Sequence, residues 1–528
     1  MLKLNRRTVL AGAATSAAAL GFPNIARAQS RVLKFVPSAD VVVYDPVASP
    51  SWQTRDHAYL VYDTLFGLDD SFQPHPQMVE GYTVENDGLL WKLTLREGLK
   101  FHDGEPVLAK DAAASVKRWM ARDAFGQALA AVADEITASS DRVIEIRLKE
   151  PFPLLPDALA KPMAYMCPIM PERLATTDPA TAIKEVVGSG PFRYVESERV
   201  PGARVVYEKF ADYVPRSEGT PQYTSGPKVA NFDRVEWQII QDTATAAAAL
   251  ERGEVDWVQT PNVDLLPLLR KNEDVTVRSI TPNGLVAYMR FNHLHPPFDN
   301  PAIRRALIGA VNQSDYMIAV NGADESLWND GVGYFVPGSP LASDAGMDRI
   351  NGTRDLEQVR KDIEAAGYKG EPVVMLVAVN VPYLKIMGDV TADLFKKVGL
   401  NVDYQSIDWT TLAQRRTSMG PPSEGGWNVY SIYDNGTNQV NPAGHLLLRT
   451  NGENAAFGWP SDPELEALRD KWFRAGSLEE QKEIASQMQL RAFEVVPYIP
   501  LGQAIEQTAY RSNLSGILTG SPVFWNIS

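Results

Sequence analysis

Leu93-Thr94-Leu95-Arg96-Glu97-Gly98-Leu99-Lys100-Phe101-His102-Asp103-Gly104 starts with apolar residues at alternate positions and ends on Asp-Gly. The pattern predicts a half-buried strand entering a tight turn, because side chains alternate faces along a strand and Asp-Gly suits a reversal. Downstream, Gly188-Ser189-Gly190-Pro191-Phe192 predicts a second reversal, with glycine permitting positive φ and proline directing the exit. Both strings are assigned to architecture and not to chemistry.

Outward from these strings, helices and strands alternate. Asn300-Pro301 predicts a helix start, with Ile303, Ala306, Leu307, Ala310 and Val311 forming one apolar face. Asp355 caps a predicted helix through residue 366, and Gly367 ends it. A β-branched run over 372–379, a helix over 383–398 and a strand over 402–407 follow, which is the order of a βαβ unit. Ser477 with Glu480 predicts a capping box for a helix through Val495. Trp427 to Tyr433 reads as an aromatic strand. Residues 496–501 carry Pro497 and Pro500, so an edge strand or extended crossing is expected there. The fold class is therefore α/β, and 528 residues exceed one core.

Residues 1–28 have a different character. Lys3, Arg6 and Arg7 precede an uncharged stretch from Thr8 to Leu20, and Ala26-Arg27-Ala28 fits a small-x-small cleavage site before Gln29. This is the pattern of a secretory signal, too short to span a bilayer. The adjacent arginines ahead of an Ala-rich core point to twin-arginine (Tat) export, with a general secretory signal as the alternative. No comparable apolar run follows, so no transmembrane segment is expected in the mature chain. With 51 basic against 65 acidic residues the chain carries −14, which argues against nucleic acid or anionic membrane as partner. The single cysteine, Cys167, allows no internal disulfide.

Several further strings stand in a telling order. Leu65-Phe66-Gly67-Leu68 is followed by Pro76-Gln77-Met78-Val79-Glu80-Gly81-Tyr82, the opening string, and Val107-Leu108-Ala109-Lys110-Asp111. Arg290-Phe291-Asn292, Phe298-Asp299-Asn300 and Glu494-Val495-Val496-Pro497-Tyr498-Ile499-Pro500-Leu501 come later. Together they resemble the family 5 extracellular solute-binding proteins, the dipeptide, oligopeptide and nickel-binding proteins of ABC importers, along nearly the whole mature chain. The resemblance implies a periplasmic-binding-protein-like fold of two lobes joined by extended hinge crossings. The first lobe would use 31–285 plus 505–528, with an extra subdomain at about 71–187, and the second 286–504. It implies a periplasmic, largely monomeric protein that encloses a peptide or other small polar solute by hinge closure and delivers it to an inner-membrane ABC permease.

The resemblance also points to a ligand site. Trp409, Arg416 and Trp427 match the family's pocket-forming segment, and tryptophans supply flat walls with an N–H donor. Peptide-binding members carry an aspartate three residues after the second tryptophan, where this chain has Tyr430. A phenol does not neutralise an ammonium as a carboxylate does. The nearest acid is Asp434, in an Asp-Asn-Gly that also reads as a turn. Trp52, Thr54, Arg55, Phe125 and Gln127 are further candidates. The substitution at Tyr430 keeps open a peptide held differently, a non-peptide or metal-chelate ligand, and a ligand-sensing receptor role.

Catalytic signatures are absent. There is no His-Glu-x-x-His, no phosphate-binding Gly-x-x-x-x-Gly-Lys-Ser/Thr and no Gly-x-Ser-x-Gly. His293 and His295 would share a strand face, yet two imidazoles make an incomplete metal site, and a connector into the following helix is the plainer reading. No catalytic residue, metal site or cofactor is assigned.

Overall fold

The computed structural model describes residues 31–163 and 165–528, so the proposed signal segment at 1–28 lies outside the described residues. Three sheets of four or more strands organise the chain. In the first, Val32–Val36 lies between Arg234–Gln238 and Trp257–Val258 and runs parallel to both. Arg204–Lys209 and Phe192–Tyr194 extend it on one side, Thr508–Arg511 and Val275–Arg278 on the other. In the second, the strand order is Trp328–Asn329, Tyr498–Ala504, Leu285–Phe291, Val429–Asn435, Pro372–Ala378 and Asn401–Ile407. The third is a four-stranded antiparallel sheet of Val79–Glu85, Leu90–Leu95, Val143–Leu148 and Ala133–Ala138.

The chain passes between the first two sheets at two places. One lies between Arg278 and Leu285, the other between Ala504 and Thr508. The two crossings touch. Gly284 has φ +49°, and a Cβ there would stand 2.1 Å from the Ala504 carbonyl oxygen. Gln503, fully buried, donates to the Asn283 carbonyl at 2.7 Å and accepts from Asn329 at 2.7 Å, which binds both crossings to the second sheet.

Of the string Leu93–Gly104, the alternating start Leu93 to Leu95 ends the strand Leu90–Leu95. Phe101 N–H donates to the Glu105 carbonyl around the Asp103-Gly104 turn, where Gly104 has φ +93°. The βαβ unit is present: Pro372–Ala378 pairs in parallel with Asn401–Ile407, and Pro382–Lys397 is the helix between them. Asp355 accepts from Glu357 and Gln358 N–H and caps Leu356–Ala365.

Four local expectations change. The helix after Asn300 spans Pro301–Ile308 and ends at Gly309, a poor helix former, so Ala310 and Val311 are buried in the turn beyond it. Ser477 accepts from Glu480 N–H at 3.2 Å, but the Glu480 carboxylate receives Gly476 N–H, so only half of the capping box forms. Gly188 and Gly190 do not have positive φ. They are small because a Cβ would meet the Val61 carbonyl oxygen at 2.0 Å and the Leu60 carbonyl oxygen at 2.7 Å. Tyr498–Ala504 is no edge strand: Leu285–Phe291 pairs on one side and Trp328–Asn329 on the other. Pro500, the one proline inside it, is tolerated because Trp328–Asn329 reaches only Gln503 and Ala504, and the other partner shifts register at Ala287/Tyr288, opposite Pro500.

A buried ion pair joins the third sheet's helix to the first sheet's half. Arg118, on Ala109–Met120, meets Asp45 at 2.7 Å with both side chains almost wholly enclosed. Across the two halves the contacts are aromatic and ionic. Phe125 packs on Phe473 at 5.5 Å and on Trp472 at 6.0 Å. Glu150 pairs with Arg474 at 3.5 Å and Arg270 with Asp324 at 3.2 Å.

Candidate functional site

The strand Val429–Asn435 links the candidate residues. Its residues alternate faces, so Tyr430, Ile432 and Asp434 share one face, and Ser431 and Tyr433 the other. Ser431 meets Thr391 of the helix Pro382–Lys397 at 3.1 Å, which fixes that second face as the packed one. On the first face Tyr288, from the neighbouring strand, stands opposite Ile432.

At the start of this strand the sequence-predicted residues come together. Trp427 is 0% exposed, with Tyr430 at 4.9 Å and Trp459 at 6.0 Å. Its indole N–H is buried without a hydrogen-bond partner among the described residues. Trp409 opens the helix Trp409–Arg415, whose cap Asp408 accepts from Thr411 N–H. Arg416 lies just past that helix, its guanidinium over the rings of Trp409 at 5.4 Å and Phe457 at 5.2 Å. Arg416 makes no ion pair among the described residues, and its Nε has no hydrogen-bond partner. Burial pushes the Tyr430 phenol up, while the charges of Arg290 and Arg416 pull it down.

Arg290 supports this nest, and sequence reasoning assigned it no role. It is fully buried and pairs with no carboxylate among the described residues. Instead it donates to the carbonyls of Phe457, Leu447, Pro497 and Ala456 at 2.6–3.0 Å, which pins the loop that presents Phe457 and Trp459. Its sign in the sequence is a charge inside an otherwise apolar strand, Leu285–Phe291.

The far end of the strand lies at the junction of the two halves. Asp434 accepts from Asn438 Nδ2 at 3.0 Å, and burial holds its carboxyl up to about 6 against the lowering effect of that bond. Asn438 lines a cavity of about 40 Å³ together with Thr437 and Asn441 from the same half. Phe72, Asp157 and Met163 face it from the other. That volume holds a few waters, far short of the several hundred Å³ of an occupied ligand pocket, so admitting a solute requires the halves to separate.

Arg55 reaches the same wall. Its guanidinium pairs with Asp56 at 2.6 Å and lies 3.3 Å from the sulfur of Met163. Glu506, on the second crossing, is within electrostatic reach of Arg55 and Asp56 from the first half and of Tyr383 and Tyr433 from the second. Burial pushes its carboxyl up to about 7. Glu506 was missed because it follows an apolar strand as an isolated acid, with no motif around it.

The remaining candidates are placed elsewhere. Thr54 donates to the Val43 carbonyl at 2.6 Å and closes its helix onto the preceding loop. Trp52 begins that helix, half-buried, with no ring contact or side-chain hydrogen bond among the described residues. Phe125 sits in the aromatic seam between the halves, and Gln127 is exposed on the same helix. His293 and His295 go separate ways, to the carbonyls of Pro497 and Met419. Cys167 is buried, its thiol pushed up by desolvation.

Set beside known proteins, residues 73–445 match the bacterial extracellular solute-binding proteins, family 5. A probable peptide ABC transporter periplasmic-binding protein of Sinorhizobium fredii is 34% identical over 533 residues, covering 100% of this chain and 99% of that one. The glutathione-binding protein of Escherichia coli K12 is 28% identical over about half of each chain. Among solved structures, a Helicobacter pylori periplasmic binding protein in complex with the peptide STSA superposes with a TM-score of 0.74 at 20% identity, over 94% of this chain and 97% of that one. An Agrobacterium tumefaciens binding protein in complex with agropinic acid also gives 0.74 at 20%, over 94% and 98%. Among the described residues no helix is long and apolar enough to cross a membrane. Two open sheets joined by two crossings, a junction lined from both sides and the match over 73–445 agree: the chain belongs to family 5 of the bacterial extracellular solute-binding proteins.

Proposed function

We propose that this chain is the solute-receiving component of an ABC importer and that its solute is a short peptide held extended between two lobes. The lobes are 31–285 with 505–528, carrying the subdomain at about 71–187, and 286–504. One observation carries the reading. Arg416 and Asp434, each without an ion-pair partner among the described residues, mark two ends of one sheet face. Arg416 stands beside Tyr430, and Tyr430 to Asp434 is four residues, about 13 Å at the rise of a strand. A peptide of three or four residues spans about 10–14 Å when extended, and it carries opposite charges at its ends. Its ammonium would meet Asp434 and its carboxylate Arg416. The relative from S. fredii, named a peptide transporter component, supports the choice of solute.

The geometry supports closure around the solute. The crossings at Gly284 and Ala504–Thr508 act as the hinge, and a peptide touching both lobes stabilises the closed form by its greater affinity for it. Export by the twin-arginine route, cleavage before Gln29, a monomeric periplasmic state and docking on an inner-membrane permease complete the proposal, supported by residues 1–28 and the family. Calorimetric titration with di- to tetrapeptides tests it. Asp434→Asn and Arg416→Gln should each weaken binding by about 1–3 kcal/mol, the scale of a lost charged hydrogen bond. Equal affinities in both variants and the parent would contradict the assignment.

A further inference from the structure

We infer that Asp157 receives a positively charged group of the solute, an ammonium or a guanidinium, from the side of the cavity opposite the second sheet. The inference rests on the inter-lobe reading above and adds a contact from the other lobe. Asp157, on the helix Leu155–Ala160, lines the cavity that Thr437, Asn438 and Asn441 close from across the junction. Its carboxylate makes no ion pair, and no hydrogen bond beyond its own backbone N–H, among the described residues. Lys161, also at the cavity, directs its ammonium to Asp123, the cap of the helix Ala124–Val132. The groups facing Asp157 from the second sheet's half are neutral: a hydroxyl and two carboxamides, one of them already donating to Asp434. Burial without a cation holds the Asp157 carboxyl up to about 6.

A half-buried carboxylate therefore borders a space between the lobes, with no cation of the described residues paired to it. A neutral solute leaves it unpaired, whereas a cation pairs it and touches both lobes together. Such a contact exists only when the lobes are closed, so it favours closure specifically. With Asp434 reaching the same cavity wall through Asn438, the solute's positive group would lie between one carboxylate from each lobe.

Asp157→Asn is isosteric, so folding is checked by its melting curve and recognition by calorimetry on the ligand-free full mature protein. Four probes are used: trialanine, N-acetyl-trialanine, N-acetyl-Lys-Ala-Ala and putrescine. The inference predicts that the variant binds trialanine about 10- to 100-fold more weakly, as for a lost charge-assisted contact, with N-acetyl-trialanine unchanged between the two proteins. If N-acetyl-Lys-Ala-Ala is the probe that loses affinity, Asp157 reads a side-chain cation and not the terminus. If no peptide binds the parent while putrescine does and loses affinity in the variant, the cation site stands and the peptide reading falls. Equal affinity of parent and variant for every cationic probe, or binding of none, overturns the inference.

Discussion

Trp427 and Asp434 belong to one segment, and their surroundings separate a packed aromatic residue from a carboxylate at the junction of the two halves. Trp427 is fully enclosed, so truncation leaves a large cavity: Trp427→Ala should cost about 3–5 kcal/mol of stability, read by denaturant unfolding. Trp427→Phe keeps most of the volume and removes only an indole N–H that has no partner. It should fold with nearly parental stability, and a change in peptide affinity then reports a direct role. Unaltered affinity would confine Trp427 to packing. The sequence showed the nest of Trp409, Arg416, Trp427 and Tyr430 because aromatic residues near a family-like string are conspicuous. It did not show Arg290, Asp157 or Glu506, whose roles arise from burial and from segments distant along the chain. A lone acid in a sequence carries no sign of whether a cation will face it.

At the scale of elements, local signals served where local physics decides. The βαβ unit at 372–407 formed as read, because β-branched runs and a 3.6-residue periodicity depend on near neighbours. The strand Tyr498–Ala504 accommodates Pro500 because a short neighbour and a register shift leave its nitrogen unneeded, which only tertiary pairing reveals. Two long-range joints follow the same logic. Asp45→Ala strands Arg118 in the interior, and loss of one partner of a buried pair should cost about 3–5 kcal/mol. Gly284→Ala places a methyl against the Ala504 carbonyl at positive φ, with strain of at least about 1–2 kcal/mol. Because the two crossings meet there, the glycine variant should also shift the open–closed balance, measured by small-angle scattering with and without peptide. An unchanged scattering profile and melting point would remove Gly284 from the hinge.

For the whole molecule, pH separates two sets of buried groups. His57 and His445, both 0% exposed, have imidazoles pushed down to about 3 by desolvation. The unfolded chain takes up those protons below about pH 6.5 and the native protein does not, so stability falls on acidification by up to about 1.4 kcal/mol per pH unit for each. Glu506 runs the other way. Its carboxyl is raised to about 7, so the native state keeps a proton that the unfolded state releases above about pH 4.3, and this contribution to stability is lost as pH rises from there through about 7. Glu506→Gln should therefore melt higher than the parent at pH 8, with the advantage vanishing near pH 5. A pH-independent difference would mean that Glu506 does not titrate in the junction. The overall α/β architecture was legible from ordered strings, and the two-lobe reading came with the family they resemble. The cavity was not legible, because residues 68–72, 157–163 and 437–444 meet only in the folded molecule.

Native mass spectrometry of the protein purified from periplasm without refolding tests the central claim most directly. The account predicts a chain beginning at Gln29 that carries a ladder of peptide masses of about three to four residues, as the roughly 13 Å between its charged ends requires. A single non-peptide mass, reproducible across preparations, would contradict peptide capture and make the phenol at Tyr430 the mark of a different solute.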